Sequence, residues 1–383
     1  MNHKNEITVG RREPRKIRLL IAAIALVAIL VLAVSWLLRA RQEADRDDEH
    51  EIKRVRVKYI KFPELPKARL MNVEELYFLR PLQKTKWHTA EQASYMQADD
   101  LVFALYLNGR AWVMPWWVIK NHHVANLTLN DQPVLMTFCE ICTGSSAFIP
   151  VLDGKRYMFR VKGVYNGTHF IADDETGSCW TPFVGEAVLG PLKGSRLKRL
   201  PLYECTWAEW LALHPESLVA DGANESRDGH AKLFTPGKDV HVKDFMKTLL
   251  RKRDRRLPEN ELVLGVEING RFRAYPLATL DQIGLVVNDT LSSAEILIMH
   301  KTSTLLTSVF SRRFGNEVLV FENASNNQVV DRKYKSAWNY DGEAYAGTLA
   351  GQKLSYVSWT IEEWFTWAAS HPQTEIFDVD DAL

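Results

Sequence analysis

The chain has 383 residues, with 48 Lys and Arg against 47 Asp and Glu, and its net charge of +1 excludes the cationic excess that bulk nucleic-acid binding needs. A hydrophobic share of 46% is that of a globular protein, and the length allows two ordinary domains with a core in each. Twelve tryptophans point to aromatic anchors in the packing.

Residues 1–18 form a basic tail carrying Arg11, Arg12, Arg15, Lys16 and Arg18. The run that follows, residues 19–38 ("LLIAAIALVAILVLAVSWLL"), is aliphatic apart from Ser35 and Trp36. At about 1.5 Å per residue it reaches about 30 Å, the thickness of a bilayer core. It is longer than a signal-peptide apolar region and no small-x-small cleavage site follows it, so it reads as an uncleaved, single-span transmembrane anchor. Beyond Arg41 the chain turns acidic with Glu43, Asp45, Asp47, Asp48 and Glu49. The positive-inside rule then leaves the N-terminus in the cytoplasm and the main body outside the inner membrane of a bacterium, where thiols tend to be oxidised unless a metal or reductant holds them.

Residues 39–97 read as a stalk and lead-in. "EIKRVRVKYIKF" alternates apolar and charged residues as a strand does, and "NVEELYFLRPL" reads as a short helix stopped by Pro81. Internal repetition organises the rest. "LYLNGRAWVMPW" (105–116) matches "VEINGRFRAYPL" (266–277), and "VANLTLNDQPVLM" (124–136) matches "VVNDTLSSAEILI" (286–298). Further on, "GEAVLGPLKGSRL" (185–197) answers to "GEAYAGTLAGQKL" (342–354), and "TWAEWLALHP" (206–215) to "TIEEWFTWAASHP" (360–372). Four landmarks kept in order predict two tandem modules, 98–222 and 261–383. The linker between them, 223–260, carries Arg251, Lys252, Arg253, Arg255 and Arg256, a charge run that reads as a solvated boundary.

Within each module, alternating strands meet at turns such as Asn108-Gly109 and Asp153-Gly154. Each ends in a short helix, with Thr206 and Glu209 forming a capping box in the first and Thr360 and Glu363 repeating it in the second. The fold class is therefore mainly β (α+β): a transmembrane helix followed by two β-rich modules.

The order of "NGRAWVMP", His122 before Val-x-Asn, "TFCEIC", "GVYNG", "DDETGSCW", "GEAVLGPLKGSRL" and "TWAEWLALHP" resembles the bacterial family catalogued as domain of unknown function 3179. Members typically read Ala-Tyr-Pro, Trp-His-Glu-Ile-Val-Asn-Asp, Tyr-Cys-Pro-Leu-Cys, Leu-Tyr-Asn-Ser and Ser-Leu-Trp-Ser in that order. The resemblance covers about residues 98–222 and, more weakly, 260–377. It carries the family's cysteine pair onto Cys139 and Cys142, its histidine onto His122, its Tyr-Asn onto Tyr165 and Asn166, its Asp onto Asp173 and its Trp onto Trp180. This chain departs from the pattern at Glu140, Gly167, Ala172-Asp173-Asp174 and Cys179. The second module departs further, since Lys301 and Thr304 stand where the first has its cysteines. The first module is thus expected to bear the site, with the second structural or shaping a shared cleft.

The pair in "MTFCEICTGSSAF" (136–148) has three readings. A thioredoxin-type dithiol wants its first cysteine at a helix N-terminus, and the β-like run after Gly144 disfavours that context. A transition metal such as Zn or Cu needs three or four Cys and His ligands, for which Cys139, Cys142 and His122 are the first choice; Cys179, His123 and His169 lie in the same module. A structural disulfide is the third, with Cys179 and Cys205 available for a second bond. Tyr165, Asn166, Asp173 and Trp180 are the candidate ligand-binding groups. Asp173-Asp174-Glu175 reads more simply as an acidic turn, and the recurring His214-Pro215 and His371-Pro372 as helix stops. The expectation is a membrane-anchored extracytoplasmic protein with a metal, a small ligand or thiol chemistry at the cysteine pair, and no nucleic-acid partner.

Overall fold

The computed structural model describes residues 70–72 and 80–381, apart from 141, 226–246, 248–249, 251 and 325–327. These fall within one compact unit, Lys58–Leu383. The apolar run 19–38, the strand expected over 51–62, most of the helix expected over 72–82 and most of the linker lie outside the described residues. Among the described residues no helix is long and apolar enough to cross a membrane.

The described chain is mainly β, with short strands and four short α-helices. It begins its first half with the hairpin Leu101–Leu107 and Arg110–Pro115, closed at Asn108-Gly109. Both turn residues take positive φ, 52° and 76°, as a two-residue turn between twisted strands requires. Pro115, with its φ fixed near −60°, then starts helix α1, Trp116–His122. Val124–Leu129, Gln132–Phe138 and Ser145–Ile149 follow as an antiparallel meander, extended by Lys198–Leu200. Phe159–Tyr165 and Thr168–Asp173 form the centre of another sheet, with Leu70–Asn72 on its edge. Tyr203–Thr206 returns beside Leu101–Leu107, helix α2 (Trp207–Leu213) packs on it, and Leu218–Ala220 runs parallel to Arg110–Pro115. Trp87–Thr89 pairs with Leu218–Ala220, so this end of the expected lead-in is an edge strand of the first half.

The elements from Leu262 follow the same order. A hairpin (Leu262–Ile268, Arg271–Pro276) leads through Pro276 to helix α3, Leu277–Ile283. A meander (Val286–Leu291, Ala294–His300, Thr307–Ser311) and a sheet starting at Phe321–Ala324 come next. The returning strand Trp359–Glu363 and helix α4, Trp364–Ser370, complete the half.

One landmark acquires a physical role in both halves. The buried Asn126 donates from Nδ2 to the Phe159 carbonyl and accepts the Phe159 N–H at Oδ1, both at 2.8 Å. Asn288 makes the same pair with Phe321, at 2.8 and 2.9 Å. The asparagine of Val-x-Asn-x-Thr-Leu therefore ties the meander to the next sheet in each half.

One expected correspondence fails. Thr206 and Glu209 form the capping box of α2, but α4 starts at Trp364 with Glu363 as its N-cap and no side-chain cap. Matching the helices places Glu363, not Thr360, opposite Thr206. Aligning the two threonines puts the sequences three residues out of register, because the strand before α4 runs on through Thr360.

The halves share a core. Val102, Val113, Tyr203 and Trp210 from the first half pack in one buried cluster with Leu264, Tyr275, Ile298 and Trp359 from the second. Trp359 meets Tyr203 edge to face at 5.7 Å.

Candidate functional site

Cys139 and Cys142 occupy the loop between Gln132–Phe138 and Ser145–Ile149, not a helix end. The loop is closed by the Cys139 N–H, which donates to the Gly144 carbonyl at 2.9 Å. Gly144 is required by close approach: a Cβ there would lie 2.5 Å from Cζ of Phe183. Both cysteines are fully buried, in a small cluster with Phe183, Phe365 and Leu250. All four cysteines are thiols.

The local backbone decides which histidine joins them. Helix α1 ends at His122, whose Nδ1 sits 2.6 Å from the Arg80 carbonyl and whose Nε2 faces Glu225 at 3.9 Å. His123 takes the left-handed conformation, φ 57°, and packs half-buried against Phe138 and His169. Its ring and that of His169 stand edge to face at 6.0 Å. The histidines that act on Cys139 are thus His169 and His123, and the expected ligand His122 is engaged elsewhere. Neither ring nitrogen of the buried His169 has a hydrogen-bond partner among the described residues, and the ring acts on the Cys139 thiol electrostatically.

The two thiols are driven apart. Burial pushes Cys139 up, but Cys142 and His169 together, with a smaller contribution from His123, outweigh it and hold the thiol well below its ordinary value. Cys142 goes well above, through burial first, then through its bond to Cys139, the Cys139 charge and Glu362, with the Thr168 hydroxyl opposing. That hydroxyl lies 3.5 Å from Cys142 Sγ. Burial, reinforced by His169, lowers His123 to about 4, leaving it a neutral imidazole at neutral pH.

The second half closes the site. The Glu363 N–H donates to the Cys142 carbonyl at 3.0 Å, the Thr143 hydroxyl to Glu363 Oε1 at 3.3 Å, and the Thr360 hydroxyl to the Ser145 carbonyl at 3.2 Å. The residues expected to cap the last helix instead hold the cysteine loop. Between the halves runs a cleft of about 590 Å³, walled by Tyr165, Asn166, Thr168, Phe183 and Arg196 on one side and by Lys252, Phe272, Glu362 and His371 on the other. That is the size range of small-molecule sites. The cysteines do not floor it: they lie behind Thr168, Phe183 and Glu362.

The other expected site residues divide. Tyr165 and Asn166 line the cleft, and Asn166 Nδ2 donates across it to the Ala369 carbonyl at 2.9 Å. Asp173 and Trp180 are buried and bonded to each other, Trp180 Nε1 donating to Asp173 Oδ2 at 2.9 Å while the Thr176 N–H donates to Oδ1 at 2.6 Å. Asp331 and Trp338 repeat the bond at 3.2 Å in the cysteine-free half, so the pair belongs to the fold. Cys179 packs with Phe170, Ala172 and Leu189, while Cys205 lies in the shared core. The second disulfide is not formed, and neither thiol adds to the pair. Among the described residues no three His, Cys, Asp or Glu side chains are placed to hold a metal ion.

Glu362, Thr168 and Phe183 were missed in the sequence. No local pattern marks Glu362, whose strand neighbour Glu363 meets Thr143 across 220 residues of chain. His123 carried a signal, being one of two consecutive histidines at a helix end.

No curated protein and no solved structure matches the chain. A family model described as a protein of unknown function, DUF3179, matches residues 81–374, which include both halves of the fold and the cysteine loop between its strands. The chain belongs to the DUF3179 family.

Proposed function

We propose that this protein is a membrane-anchored, extracytoplasmic dithiol protein, built from two copies of one module, that exchanges disulfides with a small molecule bound in the cleft. The observation that carries the reading is a pair of buried free thiols in one loop, with His169 and His123 acting on Cys139, which is pushed below its ordinary value, and the Thr168 hydroxyl at 3.5 Å from Cys142, which is pushed above. The thiolate is the attacking species in thiol–disulfide exchange and the second thiol resolves the mixed disulfide. A cleft of about 590 Å³ suits a low-molecular-weight disulfide better than a folded protein. Phe183 belongs both to the cysteine pocket and to the cleft wall, so the two sites adjoin at this ring. The location outside the cytoplasm rests on the apolar run 19–38 and its flanking charges.

The test is a thiol count and intact mass of the reduced chain after exposure to hydroxyethyl disulfide. The native protein is expected to lose two thiols and two hydrogen masses. Cys142→Ser is expected to trap an adduct on Cys139, and Cys139→Ser to react with nothing. About one equivalent of zinc or copper, present after purification without chelator and lost in both variants, would overturn the exchange reading in favour of a metal centre.

A further inference from the structure

Glu362 lies on the strand Trp359–Glu363, in the half without cysteines. It is 1% exposed, and its Oε2 has no hydrogen-bond partner among the described residues. It nevertheless lines the cleft, together with Thr168, whose hydroxyl touches Cys142 Sγ. The next residue fixes its position, since the Glu363 N–H holds the Cys142 carbonyl at 3.0 Å. A buried carboxyl oxygen left unbonded costs folding free energy, and groups of that kind gather at sites where protons are moved.

Resting on the dithiol reading above, we infer that Glu362 is the catalytic acid and base of the exchange, supplied by the second half to the cysteines of the first. The Cys139 thiolate attacks a bound disulfide R–S–S–R′, forming Cys139–S–S–R and breaking the S–S bond to R′. The Glu362 carboxylic acid gives its proton to the departing R′–S⁻, which leaves as R′–SH. The carboxylate so formed takes the proton of Cys142, whose sulfur attacks Cys139 Sγ and expels R–S⁻. Glu362 ends protonated, the pair ends as a Cys139–Cys142 disulfide, and two electrons have passed to the bound disulfide. No other oxidant is needed.

The surroundings suit the starting state. Burial pushes the Glu362 carboxyl up to about 8, the Thr366 hydroxyl and the Arg199 guanidinium pull it back, and the Cys139 charge raises it, so the acid form prevails at neutral pH. The other titratable groups that act with it are Glu204, itself raised to about 8, and Cys142.

Glu362→Gln in the full-length chain, solubilised in detergent, tests the assignment through the leaving group. A hydroxyethyl thiolate leaves poorly without a proton, whereas a nitrobenzoate thiolate leaves well without one. First-thiol release from hydroxyethyl disulfide is expected to slow about tenfold or more, while release from 5,5′-dithiobis(2-nitrobenzoate) stays within about twofold of the native rate. Equal loss with both reagents, or no loss with either, overturns the role of Glu362 and leaves the dithiol reading standing. A native protein that reacts with neither disulfide, while its denatured form reacts with both, sinks the dithiol reading itself. Should Glu362→Gln fail to fold, Glu362→Asp, whose acid is withdrawn by one methylene, is expected to show a smaller loss with the same dependence on leaving group, and an equal loss with both reagents overturns the assignment.

Discussion

A single carboxyl shows how far this core departs from the charge pattern of its sequence. Glu204 stands in "LYECTW" between apolar neighbours, where alternation assigns it to a solvent face. It is instead buried on the strand Tyr203–Thr206, accepting the Ser145 hydroxyl at 2.6 Å from the strand that follows the cysteine loop. Burial pushes it up to about 8, Ser145 opposes, and the Glu362 charge adds to the rise. The folded chain therefore keeps this proton over a window in which the unfolded chain, at about 4.5, has lost it. By linkage, stability falls as pH rises from about 4.5 to 8 and levels off above, by at most about 1.4 kcal/mol per pH unit for one proton. Glu204→Gln removes that slope. Urea midpoints at pH 5, 6, 7 and 8 are expected to move in favour of the variant as pH rises, and a constant gap between the two proteins would mean that Glu204 ionises inside the fold. Such a residue was illegible because a charged letter says nothing of its burial when its partner lies 59 residues away.

At the scale of elements the sequence was most informative where geometry is local. The Asn-Gly hairpins and the Thr206 capping box depend on neighbours within a few residues, and each stands as its spacing implied, whereas the short helices α1 and α3 that follow Pro115 and Pro276 were not expected. The second cap failed because it was inferred from likeness between distant segments rather than from its own strand. The Asn126 landmark was visible as a repeat, but its role was not, since Phe159 lies 33 residues on. Asn126→Ala would leave the Phe159 N–H and carbonyl buried without partners, at about 1–3 kcal/mol for each unsatisfied group. A loss of about 2–4 kcal/mol is expected in denaturant unfolding, with a similar loss for Asn288→Ala. Asn126→Asp, which keeps an acceptor for the Phe159 N–H but gives up the donor, is expected to fall between alanine and native. A loss below about 0.5 kcal/mol for Asn126→Ala would show that water takes over both groups and that the clamp does not join the sheets.

On the scale of the whole molecule, two modules joined by a linker suggest two folding units, and the packing adds to the core of each half a third cluster that the two share. Apolar periodicity tells which side chains are buried but not against what, so the single cluster that takes Tyr203 from one half and Trp359 from the other left no trace in either repeat. The cysteine pocket depends on the same docking, because Phe365 and the Glu363 N–H come from the second half. Unfolding followed by tryptophan fluorescence and by exposure of thiols to a maleimide pulse is therefore expected to give one transition with one midpoint. Trp359 is the residue to perturb, since its ring is 5% exposed, packs against Tyr203 and Tyr356, and its carbonyl accepts from Arg199 at 2.7 Å. Trp359→Ala should cost about 3–5 kcal/mol and shift both probes together, although the substitution is remote in sequence from the cysteines. If the fluorescence midpoint fell while the thiols stayed protected to the native midpoint, the halves would be separate units, and the cysteine pocket would be a property of the first half alone.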